Sequence, residues 1–197
     1  NLIMDTFGAM ALASLPPSRN VMEEKPRRRE ASILTRPMMS ELLGVGFLFF
    51  AITLGFYWIF NHAEVTSIPQ MFHTSVGAAS VMTPYEATLL FSIFVWTHFW
   101  YMFNARCFET GESVFKVRMS QGFWTIVGII VLGQLFITEI AYEFFNVEPM
   151  LHTLDWSFNP SGALDFVIIV AASSLVLWVR EGYELLKGNP VADNSAK

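Results

Sequence analysis

Four long runs of apolar side chains constrain this 197-residue chain more than any other feature. Residues 41–60 (ELLGVGFLFFAITLGFYWIF) carry no charge after Glu41, and residues 85–103 (YEATLLFSIFVWTHFWYMF) carry only Glu86. Residues 122–141 (GFWTIVGIIVLGQLFITEIA) hold a single Glu139 and residues 162–179 (GALDFVIIVAASSLVLWV) a single Asp165, each near one end of its run. About 17–25 such residues cross the hydrocarbon of a bilayer as a helix, the form that satisfies every backbone N–H and C=O without water. Aromatic side chains crowd the ends of the runs (FYWIF, FWYMF, GFW), as suits amphipathic rings at headgroup depth. The opening stretch, NLIMDTFGAMALASLPP, reads as the second half of a further membrane helix. The expected fold is therefore all-α: a polytopic transmembrane helical bundle of four full spanning helices preceded by a half-helix. A chain that opens on Asn in mid-helix is also expected to be a fragment.

Charge decides the orientation. All twelve Lys and Arg fall into alternate polar segments: Arg19, Lys25, Arg27, Arg28, Arg29 and Arg36 in the first, Arg106, Lys116 and Arg118 in the second, and Arg180, Lys187 and Lys197 in the tail. The two remaining loops, about residues 61–84 and 142–161, have none and carry Glu64, Glu143, Glu148 and Asp155 with His62, His73 and His152. Basic residues are retained on the cytoplasmic side, so residues 16–40, 104–121 and 180–197 are placed in the cytoplasm and the basic-free loops outside. The expected organisation is a membrane half-helix over 1–15, a cytoplasmic basic loop over 16–40, a four-helix membrane region over 41–180 and a short cytoplasmic tail over 181–197. A hydrophobic share of 53% points to lipid as a partner, and a net charge of −5 excludes nucleic acid. One cysteine, Cys107, leaves no disulfide framework and no metal–thiolate cluster.

Asn1 and Asp5 pose a separate problem, because an ionised carboxylate in an apolar helix is costly unless it is paired or holds a cation. Four residues apart, the two lie on one helix face. Their oxygens either converge on one hard cation, which wants several oxygens and at least one negative charge, or form a polar pair bonded to a neighbouring helix or to water. Gly8 is one turn further on, where an unwound segment would add backbone carbonyls.

With NLIMDTFGAMALASLPP at its start, followed in order by TRPMMSELLG, FNARCF and GESVF, the chain resembles the C-terminal membrane region of type II P-type cation-transporting ATPases, most closely the plasma-membrane type of calcium pump. The resemblance runs over about residues 1–180, from the end of the sixth helix through the tenth. It implies that Asn1 and Asp5 are calcium ligands, that calcium is the transported ion, and that ATP and magnesium act only in cytoplasmic domains absent from this chain. Its implied partners are membrane lipid and the remainder of the pump, helices one to six and the phosphorylation domain. The implied location is the plasma membrane or a bacterial inner membrane. Manganese, sodium and proton pumps share the architecture, and a stand-alone polytopic membrane protein with a structural or partner-binding role is the alternative.

Departures from the family pattern carry information too. Pumps that move two calcium ions place a Glu on the eighth helix where this chain has His98, which implies a single calcium per cycle. His98 is then either a proton-linked neighbour of the site or a packing histidine between helices. The TGES at Thr110–Ser113 spells a dephosphorylation motif that in the family belongs to a different domain, so it is read as a coincidence in a short loop. KPRRR at Lys25–Arg29 is expected to face anionic lipid or the phosphorylation domain. The tail after Lys187 is too short for a calmodulin-binding region, which suits a simpler, bacterial type of pump.

Overall fold

The structure is a computed structural model and describes residues 2–14, 32, 34–108, 113–117 and 119–187. Among the described residues it is helical, with a lone antiparallel bridge between His152 and Phe158. Caps and prolines set where the long helices start. Helix α1 (Leu2–Ala13) ends at Ser14, whose Oγ lies 3.3 Å from Ser120 Oγ. Helix α2 (Arg36–Phe60) is capped by Thr35 Oγ1, which accepts the Met38 N–H at 3.3 Å, with Pro37 in the first turn where a missing N–H costs nothing. A four-residue α3 (Ile68–Met71) lies in the loop that follows. Helix α4 (Pro84–Arg106) opens with a capping box between Thr83 and Glu86. Helix α5 (Gln121–Leu135) is capped by Ser120 and runs into a π turn, Phe136–Ile140, and the short α6 (Tyr142–Phe145). Asn159 caps α7 (Pro160–Ser173), which α8 (Leu175–Lys187) continues after a break at Ser174.

Helix α4 is the hub, packing against α2, α7 and α8 and touching α1, while α1 lies along α5. An aromatic seam ties the hub to its neighbours: Trp96 meets Phe166 of α7 at 5.7 Å between ring centroids, and Phe103 meets Phe123 of α5 at 5.4 Å, both edge to face.

Among the described residues three helices are long and apolar enough to cross a membrane: Arg36–Phe60, Gln121–Ile140 and Pro160–Tyr183. The expected four full spanning helices thus narrow to three, around a more polar α4. At 23 residues α4 has the length, but it carries Glu86, Thr88, Ser92, Thr97 and Asn104, all buried. Walled in by its neighbours, it hydrogen-bonds its polar side chains inside the protein, whereas α2, facing mostly outward, must be apolar nearly all round.

The break after Ser173 has a local cause. Ser173 Oγ bonds the Ile169 carbonyl at 2.7 Å and Ser174 Oγ the Ala171 carbonyl at 2.6 Å, and such back-bonding bends helices. Side chains of α4 reach into the bend: Trp100 Nε1 donates to the Val170 carbonyl at 3.0 Å and Asn104 Nδ2 to the Val176 carbonyl at 2.9 Å.

Candidate functional site

Of the three site residues expected from sequence, Asn1 lies outside the described residues. Asp5 is exposed on α1. One turn along, α1 comes close to the hub, where a Cβ added to Gly8 would sit 3.9 Å from Met102 Sδ. Asp5 and His98 each precede this approach by about one turn of their own helix. His98 nevertheless turns elsewhere. Its Nδ1 lies 2.8 Å from the Phe94 carbonyl, its ring lies over Phe94 at 4.2 Å, and the edge of Phe49 on α2 approaches at 5.0 Å. Among the described residues no group of three or more His, Cys, Asp or Glu gathers in the way that would hold a metal ion.

The structure does bring together a set of carboxylates that sequence reasoning passed over. Glu86, Glu139 and Asp165 are buried at the helix ends that face the basic-free loops. Each grips backbone of one of those loops. Glu86 accepts the Val65 N–H at 2.7 Å while closing its own capping box. Asp165 accepts the Ile68 N–H at 2.9 Å and the Tyr85 hydroxyl at 2.7 Å. Glu139, within the π turn, accepts the Met150 and Leu151 N–H groups at 3.2 and 2.8 Å. These loops offer no Lys or Arg, so backbone N–H groups take the place of cations, in charge-assisted bonds stronger than neutral ones. The loop segment around Met150 is seated so closely on α7 that a Cβ on Gly162 would collide with the Met150 carbonyl oxygen. The signal was present in the sequence as a lone acid near the end of each apolar run.

The opposite face is fastened in the same way. Glu181 accepts the Val114 N–H at 2.8 Å, and Arg180 donates to the Cys107 carbonyl at 2.6 Å while standing 3.7 Å from Glu181. Burial pushes the Cys107 thiol above its ordinary value, the nearby Arg180 opposing this, so the thiol is protonated and unreactive at neutral pH. Lys25–Arg29 and Thr110–Glu112 of the TGES stretch lie outside the described residues.

These features define a class: a polytopic α-helical membrane domain whose interhelical loops are clamped by buried carboxylates at the helix ends. More specifically, the chain belongs to the family described as cation transporting ATPase, C-terminus, whose model matches residues 1–186. It is 29% identical over 202 residues to a probable calcium-transporting ATPase 6, plasma membrane-type, of Oryza sativa subsp. japonica, covering 96% of this chain and 18% of that protein. It is 29% identical over 201 residues to calcium-transporting ATPase 4, plasma membrane-type, of Arabidopsis thaliana, covering 100% of this chain and 18% of the relative. With the human plasma membrane calcium-transporting ATPase 3 it shares 28% over 171 residues, 79% of this chain and 12% of the relative. The chain therefore spans less than a fifth of the length of these relatives. The family match weighs against a stand-alone structural protein.

Proposed function

We propose that the chain is the C-terminal membrane part of an ATP-driven calcium pump, with calcium as cargo. Supporting this reading is the family match, which starts at residue 1 and so takes in the half-helix bearing Asn1 and Asp5. In this reading residues 1–15 carry two of the calcium ligands, Asp5 supplying charge against the ion's desolvation and Asn1 a neutral oxygen. Residues 16–40 and 181–197 face the cytoplasm, and the helices of 41–180 hold the half-helix in place. Packing of α1 on α5 and its close approach to Met102 support that scaffold role, because they link the ligand-bearing helix to the hub. ATP and magnesium act in cytoplasmic domains supplied by the rest of the pump, which with membrane lipid is the partner. The pump sits in a plasma or bacterial inner membrane and moves one calcium per cycle, His98 serving as a packing residue rather than a ligand. The test is calcium uptake by vesicles holding the full-length protein. ATP-dependent accumulation of calcium is expected, and ATP-driven uptake of another cation with calcium inert would overturn the assignment.

A further inference from the structure

His152 sits in the loop between the π turn and α7, and both of its ring nitrogens face backbone carbonyls. Nδ1 is 2.7 Å from the Thr153 oxygen and Nε2 is 2.7 Å from the Glu139 oxygen. A carbonyl only accepts. A neutral imidazole has one N–H, so it satisfies one of these contacts and sets a lone pair against the other; both bonds form only when the ring carries two protons. The surroundings suit such a cation. The Trp156 indole lies flat on the ring, 4.2 Å between centroids and 9° between planes, and Tyr142 presents its edge at 6.0 Å. Trp156 takes this position with φ of 60°, a left-handed backbone that a bulky residue adopts only where its surroundings enforce it. The charged side chains of the neighbouring segments are all acidic: Glu139 beneath the loop, Glu143 on α6, and Glu148 and Asp155 in the loop itself. No Lys or Arg occurs from residue 119 to residue 179.

We propose that His152 is a proton-binding site, and that the bound proton closes this loop onto the helix bundle. The two side-chain bonds of Glu139 to Met150 and Leu151 fix one point whatever the pH, and the imidazolium bridges the same residue's carbonyl to Thr153, so His152 and Thr153 are tied to the π turn through both ring nitrogens only while the second proton is present. The carbonyl of Thr153 does most to raise the affinity of the ring for its proton, burial opposes it, and the carbonyl and then the carboxylate of Glu139 add smaller increases. A group whose folded-state value is raised stabilises the closed loop fully below about pH 6.5, the ordinary histidine value, and loses that contribution as pH climbs through the raised one. The ligand is a proton from the solvent on the loop's side, so the loop loosens as that compartment turns alkaline.

Backbone hydrogen exchange in the full-length protein, reconstituted in lipid nanodiscs, reads this directly. Both faces of a nanodisc see one pH, so the result is independent of which side the loop faces. Protection across residues 150–159, corrected for the intrinsic exchange rate, is expected to fall between about pH 6 and about pH 9, about tenfold for each unit by which the proton is held above the ordinary value. Residues 63–70, which contain no histidine and are held by Glu86 and Asp165, serve as the reference and stay flat over that range. In His152→Gln the fall disappears and protection is low throughout. Flat wild-type protection, or the same fall in His152→Gln, overturns the proposal. Ring nitrogen shifts in 15N-histidine-labelled wild-type protein need no variant: the histidine in contact with Trp156 is expected as an imidazolium at about pH 6, and a single neutral tautomer there would overturn the proposal.

Discussion

Asp165 on α7 receives the Tyr85 hydroxyl of α4 at 2.7 Å with one carboxylate oxygen while the other receives the Ile68 N–H of α3 at 2.9 Å. Three segments far apart in sequence meet at one side chain. The carboxylate is fully buried, so removing it strands two polar hydrogens away from water. Asp165→Ala is expected to cost about 2–6 kcal/mol, at about 1–3 kcal/mol for each orphaned group, and Tyr85→Phe about 1 kcal/mol. The exposed Asp155→Ala is expected to stay within about 0.5 kcal/mol of wild type. Thermal unfolding of the purified variants in detergent measures all three, and an Asp165→Ala as stable as Asp155→Ala would remove the clamp.

Sidedness is open to direct test with an impermeant thiol reagent on intact cells. Cysteines placed at the exposed Glu64 and Asp155 are expected to label from outside, and one at the exposed Lys116 only after the membrane is opened. Native Cys107 gives no signal from either side, being buried with its thiol pushed up by desolvation. Outside labelling at Lys116→Cys with Glu64→Cys silent would reverse the orientation.

The helices were legible because length and apolarity are properties of contiguous residues, and every expected span falls on helical structure, the third running from α5 into the π turn and the last divided between α7 and α8 at Ser174. What was not legible depends on residues distant in sequence. The polarity of α4 makes sense only once α2, α7 and α8 surround it. The π turn that holds Glu139 has no Gly or Pro to announce it, and the bend at Ser174 is written only as a Ser pair. Glu86, Glu139 and Asp165 were noticed as charges but not as clamps, since their partners are backbone N–H groups, which every residue except proline carries. The role of His152 needed the positions of two carbonyl oxygens, and no spacing rule encodes those.

His98 separates packing from ligation. Its ring is engaged by Phe94 and Phe49, so His98→Ala is expected to lower stability by about 1–3 kcal/mol through lost contacts. Calcium binding by the full-length protein is expected to saturate at one ion per phosphorylatable site, with or without His98. Loss of calcium binding in a folded His98→Ala would make the residue a ligand.

The most direct test is the calcium dependence of phosphorylation by ATP in the full-length protein carrying Asp5→Asn. The change keeps the shape of the side chain and removes the charge that offsets the ion's desolvation. Phosphorylation should vanish, or require at least tenfold more calcium, while Asn1→Ala shifts the dependence less. Wild-type calcium dependence in Asp5→Asn would contradict the placement of the ion site on this half-helix.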